Sequence, residues 1–169
     1  RVQYPYRATS SGGLLRGPLP AADRGWLASA GVQPHAGERL VSMFAYADAP
    51  AADFFARLAD QPTLLLLAAG ASQPRAIEAL RKQPHPNLRH VALPWLTQPG
   101  YDRLLAACDL NVARGEDSIV RAMWAGAPFV WHIYRQDDGV HERKLNALLD
   151  RMDADAGVRA LWRAFNRLD

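Results

Sequence analysis

The sequence predicts an α/β fold with a parallel sheet and helices on both faces. Three observations predict it. Five short apolar runs are spaced along the chain, and each is followed by a stretch of roughly helical length with a helical pattern. Gly and Pro fall between the runs, as at Gly31, Pro34, Pro62, Gly70 and Pro74. The run from Asp109 to Tyr134 condenses the pattern: strand, tight polar turn, helix, strand. Strands alternating with helices mean βαβ units, whose right-handed crossovers cover a parallel sheet on both sides.

Residues 1–18, with Tyr4, Pro5, Tyr6 and Ser10-Ser11-Gly12-Gly13, read as a linker entering a domain that spans 19–155. Ala21–Ala30 reads as a helix anchored by Trp26 and Leu27. The first strand is Arg39–Tyr46, followed after Pro50 by a helix over Ala51–Ala59. Pro62–Ala69 is the second strand, with a helix at Pro74–Lys82 that takes Pro in its first turn. The third strand is Leu88–Leu93; Pro94–Gln98 forms its outgoing loop and Gly100–Ala107 its helix. Leu110–Ala113 is the fourth strand, and the turn Arg114-Gly115-Glu116-Asp117-Ser118 leads into a helix over Asp117–Ala125. Phe129–Ile133 is the fifth strand, followed by a helix at Val140–Met152 with Leu145, Leu148 and Leu149 on one face. The last segment, 156–169, holds an amphipathic helix. Its Trp162, Phe165 and Leu168 are expected to face a further domain, the alternative being this domain's own sheet.

Composition narrows the class. The chain has 169 residues, 49% hydrophobic and 22% charged, enough for one domain with a real core. No apolar run approaches the ~18 residues of a membrane span, so no membrane partner is expected. The start, Arg1-Val2-Gln3-Tyr4, has neither an initiator Met nor a signal-peptide pattern, which reads as a piece of a longer chain. The single Cys108 rules out an internal disulfide and fits a cytoplasmic protein. Net charge is +3, but the arginines are scattered, and only Lys82 and Lys144 are lysines. No basic face results, so no direct nucleic-acid binding is expected.

Open parallel sheets bind ligands at the carboxyl ends of their strands. Phe44 and Tyr46 end the first strand, Trp95 and Gln98 follow the third, and Arg114, Glu116, Asp117 and Ser118 follow the fourth. Together they suit a nucleotide: rings to stack on a base, an amide for its edge, and Arg with a hydroxyl and helix N–H groups for phosphate. The plainer alternative remains open at this level. Phe44 and Trp95 also fit a core, Gln98 fits a surface, and Arg114–Ser118 fits a solvated loop with an ordinary helix cap. Neither Gly-x-Gly-x-x-Gly nor a P-loop occurs. His132 and His141 lack metal-ligand spacing, and Asp137-Asp138 and Asp153-Ala-Asp155 read as turns or helix ends, so no metal is expected.

The run CDLNVARGEDSIVRAMWAGAPFVWHIY, with Gln136-Asp137-Asp138 and Lys144-Leu145 after it, resembles the EarP family, protein-arginine rhamnosyltransferases of translation elongation factor P. Ser11–Arg16, Phe44-x-Tyr46, Pro94–Gln98 and Tyr101–Leu105 share the resemblance, which covers the chain from about residue 4 onward. It implies the Rossmann-like, donor-binding C-terminal half of a GT-B glycosyltransferase. It also implies an inverting enzyme that takes rhamnose from dTDP-β-L-rhamnose, without a metal or other cofactor, onto an arginine of elongation factor P. By that likeness Phe44 and Trp95 sandwich the thymine, and Gln98 bonds its edge. Tyr46, Arg114, Asp117 and Ser118 hold ribose and pyrophosphate, and Glu116 is catalytic, close to the reacting sugar. The family has Phe where this chain has Trp95. Its general-base aspartate belongs to an N-terminal half that this sequence does not contain, so the chain alone is expected to be inactive. Two other readings fit the residues: a GT-B domain for another nucleotide sugar, and a non-catalytic Rossmann-like interaction module.

Overall fold

The computed structural model describes residues 20–168. The expected linker 1–18 and the Ser11–Arg16 segment lie outside the described residues. Five strands form one sheet: β1 (Arg39–Met43), β2 (Thr63–Leu67), β3 (Leu88–Ala92), β4 (Leu110–Arg114) and β5 (Phe129–His132). Among the described residues seven helices precede, join and follow them: α1 (Gly25–Ser29), α2 (Ala51–Leu58), α3 (Ser72–Lys82), α4 (Gln98–Ala107), α5 (Gly115–Ala125), α6 (Val140–Arg151) and α7 (Ala156–Phe165). All neighbouring strands are parallel, in the order β3-β2-β1-β4-β5. From β1 the chain builds outward to β2 and β3, then crosses back to place β4 on the other side of β1. The strand order therefore reverses between β1 and β4, where Met43 pairs with Val112. A crevice opens beyond the carboxyl ends at such a switch.

Burial on both faces explains the continuous apolar runs. Alternate residues of a strand point to opposite sides. Leu65 and Leu67 of β2 join a core with Phe54 and Phe55 of α2, Leu80 of α3 and Leu145 of α6. Leu64 and Leu66 point the other way, toward Leu27 of α1 and Leu104 of α4. Each of these leucines is buried and contributes about 1.5–3 kcal/mol relative to exposure. The interior also holds a satisfied polar pair. Ser42 donates to Asn111 Oδ1 at 2.5 Å, and Asn111 donates to the Leu105 carbonyl at 3.0 Å, which ties β1, β4 and the end of α4 together.

Helix α7 corrects the expectation for Trp162, Phe165 and Leu168. Its apolar face packs on this domain's own sheet, with Trp162 at 1% and Phe165 at 3% exposure and Leu168 buried beside them. The Trp162 ring lies 5.4 Å from Phe129, and Phe165 meets Phe54 edge-on at 5.2 Å. Asn166 secures the contact: its side chain accepts from the Ile133 N–H at 2.9 Å and donates to the Trp131 carbonyl at 2.7 Å. Among the described residues β5 is an edge strand, and α7 supplies its cover.

A second correction concerns Arg114–Ser118. No loop separates strand from helix. Arg114 is the last residue of β4 and Gly115 the first of α5. Gly115 makes the turn in one step at φ +69°, a left-handed conformation that other residues adopt at a cost. Gln98 likewise opens α4 instead of lying in the preceding loop. Thr97 caps that helix, accepting from the Gly100 N–H at 3.3 Å.

Candidate functional site

The crevice at the β1/β4 switch holds a pocket of about 170 Å³. Phe44, Trp95, Gln98, Asp117 and Ser118 line it, together with Ala68, Ala69, Pro94, Leu96 and Tyr101. Five residues singled out in the sequence thus meet around one cavity, from three separate strand ends. Trp95 is 79% exposed and forms an open wall, a ring left uncovered by the rest of the domain. A larger groove of about 690 Å³ runs between α2 and α7, lined by Pro50, Phe54, Leu161 and Phe165 among others. It holds none of the expected site residues.

Arg114 and Tyr46 lie beside the pocket, not in its lining. The Arg114 guanidinium carbon sits 4.4 Å from the centre of the Phe44 ring and 4.9 Å from that of Tyr46. Both rings attract the cation. Among the described residues its Nε is buried without a hydrogen-bond partner, which leaves a strong donor unsatisfied. Gly70, at the end of β2, makes room for this stack. A Cβ there would stand 3.2 Å from Phe44 Cε2 and 3.9 Å from Arg114 Nη2, and φ at Gly70 is +153°.

Tyr46 is itself fixed from below. Its N–H donates to His132 Nδ1 at 3.1 Å, so the ring proton sits on Nε2. Burial pushes the His132 pKa down to about 4, against the opposing pull of Asp48, whose Oδ1 is 3.8 Å from Nε2. The imidazole is therefore a neutral acceptor at ordinary pH. Tyr134, an exposed ring at the end of β5, meets Tyr46 edge-on at 5.6 Å.

The first turn of α5 stands at the pocket wall, where Asp117 and Ser118 line the cavity. No side chain caps it, which excludes the plain helix-cap reading of this segment. Asp117 and Ser118 lie inside the helix, and Ser118 is buried. Asp117 is held by Arg121 one turn on, which donates from Nε at 3.1 and 3.3 Å. Arg121 also donates from Nη1 to both Asp102 oxygens at 2.9 Å. Burial opposes the charge on Arg121, but the two carboxylates outweigh it and hold the guanidinium above its ordinary pKa. Glu116 sits apart from the pocket lining. It is exposed, 3.5 Å from Lys144 Nζ, on the open side of the turn.

Sequence reasoning missed Tyr101, Gly70, His132 and Arg121 as parts of this site. The Tyr101 ring packs edge-on to Phe44 at 5.7 Å, and burial raises its phenol to about 12, so it stays protonated. Arg121 alone carried a readable signal, four residues after Asp117 on one helix. Among the described residues no three His, Cys, Asp or Glu side chains gather as a metal site. Asp138 and Asp155 serve backbone N–H groups of Val140 and Val158. No described helix is long and apolar enough to cross a membrane.

Comparison with known proteins places this architecture. Residues 4–169 match the family model described as elongation factor P rhamnosyltransferase EarP. The chain is 40% identical to a protein-arginine rhamnosyltransferase of Pseudomonas aeruginosa, over 96% of this chain and 50% of that protein. It is 38% identical to the protein of the same name from Pseudomonas putida, with the same coverage. A solved structure, described as the structural basis for EarP-mediated arginine glycosylation of translation elongation factor EF-P, superposes with a TM-score of 0.73 at 38% identity. The match covers 85% of this chain and 50% of the other. The chain thus spans about half the length of the curated relatives it matches. The parallel sheet and this superposition bear out the expected fold, a Rossmann-like domain of GT-B type. On the family match and the two relatives together, the chain belongs to the EarP family.

Proposed function

We propose that this chain is the donor-binding half of a cytoplasmic, inverting glycosyltransferase that moves rhamnose from dTDP-β-L-rhamnose to an arginine of elongation factor P. One observation carries the reading: the convergence of Phe44, Trp95, Gln98 and Ser118 on one pocket beside the stacked Arg114, in a member of this family. In this reading Phe44 and Trp95 stack on thymine, and Gln98 bonds the base edge. Tyr46, Arg114 and Ser118 hold ribose and diphosphate through their side chains, and Asp117 does so through its backbone N–H in the uncapped first turn of α5. As the sugar–phosphate bond breaks, negative charge grows on the departing dTDP. Arg114 and the uncapped N–H groups of α5 are preset to stabilise that charge, with no metal required. Glu116, on the open side of the turn, faces the reacting sugar. The acceptor guanidinium is protonated and a poor nucleophile, so a carboxylate base must localise or remove its proton. That base comes from the other half of the enzyme.

Calorimetric titration of the chain with dTDP, UDP and GDP tests the reading. Saturable binding with preference for dTDP is expected. Equal affinity for the three, or no binding at millimolar dTDP, overturns it. Joined to the other half, the enzyme is expected to add one rhamnose mass to an arginine of elongation factor P, seen by mass spectrometry.

A further inference from the structure

We propose that Arg121 is a positioning residue of the donor site: it fixes the Asp117 carboxylate and offsets part of its charge, so that the first turn of α5 accepts a diphosphate. The inference rests on the donor-binding reading above. The turn poses an electrostatic problem. Its free N–H groups favour an anion, yet it carries two acidic residues, Glu116 and Asp117. A bare carboxylate at the pocket wall repels a diphosphate bound beside it.

The two acids are treated differently. Glu116 stands clear of the pocket and is exposed, with only the exposed Lys144 near it. Asp117 lines the pocket and is gripped by a cation whose side chain is 12% exposed. Arg121 uses its fork to do so: Nε engages Asp117, and Nη1 engages both oxygens of Asp102. Asp102 belongs to α4, the helix that also carries Gln98 and Tyr101. One guanidinium, shared with Asp102, thus offsets part of the negative charge that Asp117 places on the phosphate side of the pocket. Lysine cannot copy the two-sided fork.

Titration of the chain with dTDP and with thymidine, which has no phosphate, tests this. In Arg121→Met, dTDP affinity is expected to fall about tenfold, the effect of one uncompensated charge near a protein surface. Thymidine affinity is expected to change by less than about twofold, since no charge repulsion acts on it. Adding Asp117→Asn to Arg121→Met is expected to recover most of the dTDP loss. Equal weakening of both ligands, or no recovery in the double variant, makes Arg121 a mere strut between helices and overturns the inference. Should Arg121→Met not fold, Arg121→Lys carries the comparison: a loss confined to dTDP supports the inference, and one shared with thymidine overturns it. An unaltered chain that binds neither ligand overturns the donor reading and this inference together. Binding of dTDP that is unchanged by the Arg121 variants overturns this inference alone.

Discussion

Helices α5 and α7 begin with similar chemistry and are put to opposite uses. Both follow a residue in extended conformation, and both have an aspartate at or near their start. In α7, Asp155 caps the helix in the ordinary way, accepting from the Val158 N–H at 2.9 Å. The helix then buries Trp162 and Phe165 against the edge of the sheet. In α5, Asp117 is turned away to Arg121 and no side chain serves the leading N–H groups. An absent cap costs about 1 kcal/mol. Helices α2 and α3 also start without a side-chain cap, and α5 does so at the strand switch, directly after Arg114. The difference sets an edge that the domain covers with its own helix apart from the turn proposed to bind the donor.

Four changes break or sharpen this contrast. The largest effect is expected on the α7 side. Trp162→Ala should remove about 3–5 kcal/mol of stability, measured by urea unfolding.

Protonation of His132 comes next. Burial keeps it neutral in the fold down to about pH 4, whereas the unfolded imidazole titrates near 6.5. Between these values the unfolded chain binds the extra proton, so stability falls as pH drops through the window and is fully present above it. The loss is of order 3 kcal/mol by pH 4, and replacing His132 with Gln should flatten that part of the stability profile.

Arg114→Ala is expected to weaken dTDP binding by about 30-fold, close to 2 kcal/mol for a lost charged hydrogen bond, with little change in melting. The smallest effect belongs to Asp155→Ala: about 1 kcal/mol of stability from the lost cap, with dTDP affinity unchanged by calorimetry. A loss of dTDP affinity there would blur the division between the two helices.

Much of the fold was legible because the sheet is buried on both sides. That demand writes the inner strand Thr63–Leu67 as a nearly unbroken apolar run, while the edge strand β3 carries Arg89 and His90. The switch between β1 and β4 was less direct, since pairing between distant strands leaves no local trace. The Arg114–Ser118 segment shows a different limit. A polar first turn of a helix has the composition of a loop, and only the left-handed Gly115 reveals that strand passes straight into helix. Helix α7 shows a third. Its periodicity marks an apolar face but not the surface that receives it, and Asn166, which fixes the answer, bonds to backbone more than thirty positions away. Of the site residues, aromatic and phosphate-seeking types stood out by chemistry. Tyr101 and Gly70 did not, because one acts through packing on Phe44 and the other through the side chain it lacks.

The most direct test of the account is the amide NMR spectrum of the chain during a dTDP titration. The account predicts shifts at Glu116, Asp117 and Ser118 in the uncapped turn of α5, and at Trp95 and Gln98, with the start of α7 at 156–158 unmoved. Shifts confined to the groove between α2 and α7, with the α5 turn silent, would contradict it.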